Sequence, residues 1–338
     1  MAFFISLILV LTLCAASYYG AEAGMQWLFG MTIPYLAIAG FVCGFAYKIY
    51  SWAKSPVPFR IPTTGGQQYS HEWIKHNPLD NPHTVSWTVG RMLLEILTFR
   101  SLFRNTEVVI HRTEDGPRVA YNSARWLWLF GLIFHYCFLV IFLRHFRFFL
   151  DPVPFFVRAL EFTDGIFQIG APRLYQTDVL ILAALAFLLL RRMFDHKVRY
   201  ISLISDYFPL VLISGIALSG IYMRYLGKTD INAVKIYVMG LFTLSPVSAE
   251  GIAPIFFMHL FLVCALLLYF PWSKLMHLGG VFLSPTRNLP NDSRMRMHVN
   301  PWNPPKKYHT YEAYEDDFRE FMVEAGLPVD KPLDKADA

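Results

Sequence analysis

The sequence has 338 residues, of which 55% are hydrophobic, 17% aromatic and only 16% charged. An average soluble domain carries roughly 25% charged residues, so this chain lacks the polar surface of a soluble protein. The composition also excludes an intrinsically disordered chain, which needs low hydrophobicity and high charge. The formal net charge of +5 therefore bears on membrane topology and gives no indication of nucleic-acid binding.

Apolar runs near the length of about 20 residues that crosses a bilayer indicate an all-α integral membrane protein. Because no Lys or Arg precedes the first run, we interpret it as a retained span and not as a cleaved signal peptide. The sequence predicts a six-helix transmembrane bundle with a cytoplasmic loop region and a cytoplasmic tail. The predicted spans are 2 to 19, 27 to 50, 124 to 149, 176 to 192, 204 to 225 and 252 to 276.

The basic residues are distributed unevenly between the two sides of these spans. The connection from Lys48 to Arg125 holds ten, the loop from Arg191 to Arg199 holds four, and the chain from Lys274 onward holds nine. These connections contain 23 of the 30 Lys and Arg residues, and basic residues are retained on the cytoplasmic side. The sequence therefore predicts a multi-pass protein of the cytoplasmic membrane with both termini in the cytoplasm.

The cytoplasmic connection is long enough to hold structure of its own. Residues Trp87 to Phe103 are apolar with charges at helical spacing, which predicts a helix in the membrane interface. Glu107 to Arg112 and Arg118 to Tyr121 flank a turn sequence and predict a β-hairpin. On the other side of the membrane, Pro154 to Gly170 predicts a second interfacial helix.

After residue 280 the chain becomes polar, and residues 300 to 307 are rich in Pro and predict no regular element. Thr310 is a plausible N-cap and Gly326 a plausible stop for a short helix. We predict four regions: two N-terminal transmembrane helices at 1–50, the cytoplasmic connection at 51–122, a four-helix core at 123–280 and the tail at 281–338.

Four of the eleven histidines lie within or at the ends of predicted spans. His135 and His145 lie in the third span, and His259 and His277 lie in the sixth. A polar side chain in hydrocarbon normally faces a partner, a cavity or a cofactor. Because the third span runs outward and the sixth inward, we expect His145 to meet His259 near the outer side, and His135 to meet His277 near the inner side.

The spacings of the two pairs do not match. On one continuous helix, His259 and His277 would lie about 27 Å apart along the axis, whereas His135 and His145 would lie about 15 Å apart. A tilt, or a bend near Pro271, is needed to absorb this difference.

Facing histidines at two levels are the ligands that two bis-histidine haems b require. The four cysteines form no CxxC or CxxCH motif, which excludes zinc ribbons, iron-sulfur clusters and covalently attached haem. Three other interpretations remain open: a zinc or copper site, a transporter with a histidine proton relay, and a membrane anchor whose histidines only pack helices.

These histidine spacings resemble those of the gamma subunit of respiratory nitrate reductase, a membrane cytochrome b, and of its relatives in membrane-bound heterodisulfide reductase. The resemblance covers roughly residues 27 to 280. Beyond that core, the first span, the long connection and the tail are similar to the DsrM group, the membrane cytochromes of DsrMKJOP complexes in sulfate- and sulfur-metabolising microbes.

The resemblance implies a subunit with two haems b that exchanges electrons between menaquinone and a cytoplasmic iron-sulfur subunit of heterodisulfide-reductase type, which is DsrK-like. It further implies the other DsrMKJOP subunits as partners, and an indirect link to DsrC and sulfite reduction. Arginines near the outer pair are candidates for binding a quinone carbonyl or a haem propionate. The candidates are Arg144, Arg147, Arg158 and Arg173. The alternative for them is anchoring of the helix end at the membrane surface.

Overall fold

A computed structural model of the protein describes residues 1–56, 69, 73, 75–114, 116–165, 167, 169–170, 172–284, 287–292 and 308–332. The chain divides into two units, Met1–Asp292 and Ser293–Ala338. The predicted irregular segment at 300–307 lies outside the described residues. The helices of the first unit are α1 (Ala2–Glu22), α2 (Ile33–Ala53), α3 (Val85–Thr98), α4 (Arg100–Phe103), α5 (Arg125–Arg144), α6 (Phe155–Asp164), α7 (Gln176–Phe194), α8 (His196–Ile201), α9 (Ile204–Tyr225), α10 (Ile231–Phe242), α11 (Pro254–Tyr269) and α12 (His277–Leu283).

Among the described residues, five helical segments are long and apolar enough to cross a membrane. They are Ala2–Glu22, Leu28–Ala53, Arg125–Phe148, Ile204–Tyr225 and Pro254–Trp272. The predicted fourth span forms α7, a helix of 19 residues that is not one of these five. Helix α7 differs from the five segments in its charged residues. Asp178 lies near its start, and Arg191 and Arg192 lie near its end. The protein is therefore a helical, multi-pass membrane protein.

The spanning helices pack through small and aliphatic side chains. Val10 of α1 packs against Leu212 of α9 and Leu262 of α11 in one buried cluster. Cys137 of α5 packs against Ile181 of α7 in a second cluster. Helical backbone satisfies its own hydrogen bonds, which is the condition for crossing hydrocarbon, so close packing of this kind can join the helices.

Helices α3 and α4 form a corner on α5. The helix predicted from Trp87 to Phe103 is present as two helices and not as one. Phe99 adopts a left-handed conformation with φ of 50° and separates α3 from α4. The last carbonyl groups of α3 accept hydrogen bonds from α5: Trp128 Nε1 donates to Thr98 O at 2.7 Å, and Tyr136 Oη donates to Leu97 O at 2.9 Å. These bonds satisfy groups that a helix end leaves without partners and fix the corner on α5.

A buried carboxylate also stabilises this corner. Asp80 accepts hydrogen bonds from Arg100 and Arg104, which lie on and just after α4. Burial by itself would raise the pKa of the Asp80 carboxyl, but the hydrogen bonds and charges of the two guanidinium groups outweigh it and hold that pKa below its usual range. Asp80 is therefore ionised at neutral pH.

Between α4 and α5 lies the predicted hairpin. Strands β1 (Thr106–Thr113) and β2 (Gly116–Ser123) pair antiparallel, so this prediction is confirmed with slightly longer strands. In the segment Pro154 to Gly170, where the sequence predicts a second interfacial helix, the structure has α6, which ends at Asp164, earlier than expected.

The second unit contains helix α13 (Tyr311–Glu324), which begins and ends as predicted. The hydroxyl of Thr310 accepts a hydrogen bond from the backbone N–H of Ala313 at 3.2 Å, which is the geometry of an N-cap. Gly326 follows the helix with φ of 70°, a conformation that favours glycine.

Candidate functional site

The helix that carries His259 ends before it reaches His277. Helix α11 stops at Tyr269, a 3₁₀ turn contains the buried Pro271, and a second 3₁₀ turn precedes His277 at the start of α12. Proline lacks an N–H group and disfavours continuation of an α-helix. The separation of about 27 Å expected for five continuous helical turns therefore does not apply. Of the two alternatives from the sequence, a tilt or a bend near Pro271, the structure shows a bend in the form of this break.

The structure brings the four histidines together in two pairs. The ring centroids of His145 and His259 lie 6.4 Å apart, with their planes inclined by 7°. The ring centroids of His135 and His277 lie 5.9 Å apart, with their planes inclined by 80°. His145 is the first residue of the 3₁₀ turn that follows α5, and His135 lies within that helix, so the two pairs occupy different levels along α5.

Both separations fit an iron ion between two imidazoles. An iron about 2.0 Å from one nitrogen of each of two coaxial rings would hold the ring centroids roughly 6.3 Å apart, since each nitrogen lies about 1.1 Å from its centroid. Rotation of a ring about the bond to iron changes the angle between the planes but not this separation. Among the residues that the structure describes, no three His, Cys, Asp or Glu side chains converge on one point, whereas structural zinc takes four ligands. The donor set therefore fits haem iron, which takes two axial ligands from the protein.

In three of the four histidines, Nδ1 lies within hydrogen-bond distance of a backbone carbonyl oxygen. His135 Nδ1 is 2.7 Å from Gly131 O, His145 Nδ1 is 2.6 Å from Ile141 O, and His277 Nδ1 is 2.8 Å from Lys274 O. A carbonyl oxygen only accepts, so each Nδ1 must carry the proton and each Nε2 must carry the lone pair. This is the tautomer that a metal-ligating histidine requires.

The fourth histidine uses a serine for the same purpose. Ser219 Oγ lies 2.8 Å from Gly215 O and 2.9 Å from His259 Nδ1. Because the hydroxyl donates its one proton to the carbonyl, it accepts from His259 Nδ1–H and leaves Nε2 free. Gly220 lies beside this contact, and a Cβ at that position would come within 3.3 Å of His259 Cε1. Helix α9 therefore orients His259 by a close approach that a larger residue would hinder.

Replacing Ser219 with alanine tests the predicted ligand role of His259. The substitution removes the acceptor for Nδ1–H, and loss of such a supporting contact typically reduces metal affinity by about 10- to 100-fold. We expect a lower haem content after purification and a shifted reduction potential of one haem, measured by redox titration of the visible spectrum. Ser214→Ala is the matched control, because the Ser214 hydroxyl donates to Leu210 O on the same helix. Equal haem content and potentials in the two variants would contradict the role given to Ser219.

Next to the His145 level lies a buried ionic cluster centred on Arg144. Arg144 Nη1 lies 2.8 Å from Asp164 Oδ2, and Arg144 Nη2 donates to Asp178 Oδ1 at 3.1 Å. The guanidinium also stacks on the Tyr175 ring, with its carbon 3.8 Å from the centroid. Asp178 accepts a second hydrogen bond, from Tyr225 Oη at 2.8 Å. The cluster joins α5, α6, α7 and α9 beside His145. Arg144, a candidate from the sequence for contact with a quinone or a haem propionate, already uses its guanidinium group in these contacts.

The other three candidate arginines are more exposed. Arg147 Nη1 donates to Glu161 Oε1 at 2.7 Å, and both side chains are partly exposed. Arg158 and Arg173 are exposed, and the Arg173 carbonyl accepts a hydrogen bond from Arg224 Nη2 at 3.2 Å. All three lie on or near α6, in the connection that follows His145.

At the His135 level, the α3–α4 corner covers the ring. Phe99 packs edge-on against His135, with ring centroids 5.0 Å apart. Gly131, one turn earlier on α5, faces Leu102 of α4, and a Cβ at Gly131 would lie 3.6 Å from Leu102 Cδ2. The α3–α4 corner therefore packs directly beside the His135 and His277 pair.

Comparison with known proteins identifies the family of this chain. Residues 120–291, which include all four histidines, match the family model described as nitrate reductase gamma subunit. The chain is 50% identical over 284 residues to the Hdr-like menaquinol oxidoreductase cytochrome b-like subunit of Archaeoglobus fulgidus, covering 82% of this chain and 84% of that protein. It is 43% identical over 279 residues to the subunit of the same description from Archaeoglobus profundus, covering 80% and 82%. The chain therefore belongs to the nitrate reductase gamma subunit family.

Proposed function

We propose that this protein is a dihaem cytochrome b that exchanges electrons between menaquinone and a cytoplasmic iron-sulfur subunit. The observation that carries the proposal is the pairing of four histidines at two levels, at separations that fit iron and with every Nδ1 facing a hydrogen-bond acceptor. The two Archaeoglobus relatives are both described as a cytochrome b-like subunit of a menaquinol oxidoreductase, which supports the same assignment.

In this proposal, His145 and His259 hold one haem b, and His135 and His277 hold the other. Each bound haem would supply a centre that accepts and releases one electron. Three backbone carbonyl oxygens and the Ser219 hydroxyl fix the tautomer of the four ligands at Nδ1, and the Phe99 ring packs against His135. Burial and hydrogen bonding of this kind set the potential of a haem site.

For the membrane topology we propose six spans, the five apolar segments above together with α7, and both termini in the cytoplasm. Helix α7 packs against α5 through Ile181 and Leu185, which are buried with Cys137. Its charged residues lie near its two ends, where side chains reach the interface or, as for Asp178, join the cluster around Arg144. This topology places His145 and His259 near the outer surface, and His135 and His277 near the cytoplasm.

We further propose that menaquinol binds on the outer side, near His145. Arg147, Arg158 and Arg173 remain candidates for contact with a quinone carbonyl or a haem propionate, because they surround α6 with exposed or partly exposed guanidinium groups. Arg144 is a weaker candidate, since Asp164 and Asp178 already neutralise it. The partners proposed on the cytoplasmic side are a DsrK-like iron-sulfur subunit, the other subunits of a DsrMKJOP-type complex and, indirectly, DsrC in sulfite reduction.

The proposal predicts about two haems b per chain, one for each pair of axial ligands. Pyridine haemochrome quantification on the protein purified from haem-sufficient cells measures this ratio, and a reduced menaquinol analogue should reduce both haems. Absence of haem would overturn the cytochrome assignment and return the histidines to a proton path or to helix packing. One haem per chain would mean that one histidine pair is structural.

A further inference from the structure

The β-hairpin presents its apolar face to the outside. In its register, Val108 pairs with Tyr121 and Ile110 pairs with Val119, so these four side chains share one face. Their exposed fractions are 50%, 69%, 65% and 62%, respectively. On the opposite face, the pair Val109 and Ala120 is half-buried. A contiguous exposed apolar patch of this kind is typical of an interaction surface.

Hydrogen bonds hold the hairpin in one position, so its exposed apolar face has a fixed orientation. Ala124 N donates to Asn105 O at 3.2 Å and closes the base of the hairpin. Lys197, on α8, donates from Nζ to Val108 O at 2.7 Å and lies 3.8 Å from Glu107. The hairpin is therefore fixed at its base, directly before α5, and at Lys197 of α8, within the two segments richest in Lys and Arg before the tail, 48–125 and 191–199.

Lipid is a poor occupant for this face. In the part of the chain that the structure describes, the sheet has only these two strands, so each strand has an edge with N–H and C=O groups directed outward. Open sheet edges do not occur in the hydrocarbon region, because those groups would have no hydrogen-bond partner there. The hairpin must therefore lie outside the hydrocarbon region.

We infer that the face formed by Val108, Ile110, Val119 and Tyr121 is the docking surface for the cytoplasmic iron-sulfur subunit. This inference rests on the proposed function for the identity of the partner. The strand positions of this face carry Arg112 and no acidic residue, so the complementary surface is apolar and bordered by carboxylates. The hairpin also continues directly into α5, and the adjoining α4 corner covers His135. A subunit docked here would lie beside the cytoplasmic pair of histidines.

Adjacent residues of β1 provide a matched test. Ile110→Asp introduces a carboxylate on the apolar face, and His111→Asp introduces the same group on the opposite face of the same strand. In complexes purified from membranes through a tag on this chain, Ile110→Asp should retain at least roughly tenfold less iron-sulfur subunit, the effect of a charge at the centre of an interface. His111→Asp should retain it as the unchanged chain does. Equal retention by both variants would overturn the inference.

Two further measurements separate this inference from the proposed function. Haem b per chain is measured in the same preparations, and it should be unchanged in both variants because neither residue lies at a histidine pair. Loss of partner with unchanged haem supports the docking surface, whereas absence of haem in the unaltered protein would overturn the cytochrome assignment alone. A photo-cross-linker on Val119→Cys should link to the iron-sulfur subunit. Linkage to a second copy of this chain, or to lipid alone, would overturn the inference.

Discussion

Replacing His145 with alanine is expected to reduce the haem b content from about two per chain to about one, because a bis-histidine site that loses one axial ligand retains its haem poorly. The remaining haem should be the one held by His135 and His277. His259→Ala should give the same spectrum, since the two imidazoles face each other at a centroid separation of 6.4 Å. Pyridine haemochrome assays with low-temperature difference spectra measure the content and identify the remaining haem.

The reciprocal variants make this prediction specific. His135→Ala and His277→Ala should each remove the other haem and leave the spectrum that the His145 variant lost. His196→Ala is the control, because His196 begins α8 outside the histidine pairs and contacts Arg199. It should keep both haems. If all four pair variants retained full haem content, the assignment of axial ligands would be wrong.

The pairing of the histidines follows from the sequence because it depends only on the direction of the spans. Two antiparallel helices can bring together His145 with His259 and His135 with His277, and the opposite pairing is geometrically excluded. The position of each histidine along the axis of the bundle was less predictable. Counting residues along a continuous helix failed after Tyr269, since the break around Pro271 replaces regular helix by two 3₁₀ turns. The sequence required a tilt or a bend near Pro271 but did not decide between them.

Local elements with clear end signals were predicted well. The N-cap at Thr310 and the turn of the hairpin depend on neighbouring residues, so short sequence patterns determine them. The break at Phe99 was not predictable in this way. It depends on contacts of the α3–α4 corner with α5 and with Asp80, and Phe is an uncommon residue at positive φ.

The side chains that support the site were also missed. Ser219 is one of many serines, and only the packing of α9 against α11 reveals that it faces His259. Asp164 and Asp178 lie 20 and 34 residues from Arg144 in the sequence, with no shared motif. A usable signal was the acidic residue near the start of an otherwise apolar α7, because a charge within such a helix normally has a partner.

Replacing Arg144 with alanine should strongly destabilise the protein. Arg144 is 8% exposed and forms ion pairs with two carboxylates that are themselves buried, so its loss leaves Asp164 and Asp178 without the cation that they share. Breaking a buried ion pair by removing one partner typically costs about 3–5 kcal/mol. The stacking contact with Tyr175 is lost as well. We expect a markedly lower apparent melting temperature of the purified protein in detergent.

Arg147→Ala provides the matched control, because Arg147 lies three residues after Arg144, in the 3₁₀ turn that follows α5. The Arg147 and Glu161 side chains are 31% and 20% exposed, and a single solvent-accessible ion pair contributes at most about 1 kcal/mol.

Because Arg144 is adjacent to His145, loss of Arg144 should also lower the content of the haem held by His145 and His259 while the other haem is retained. A double replacement, Asp164→Asn with Asp178→Asn, in the Arg144→Ala background should recover part of the stability, since it removes the unpaired buried charges. Equal melting temperatures for the Arg144 and Arg147 variants would mean that the cluster around Arg144 does not stabilise this end of the bundle.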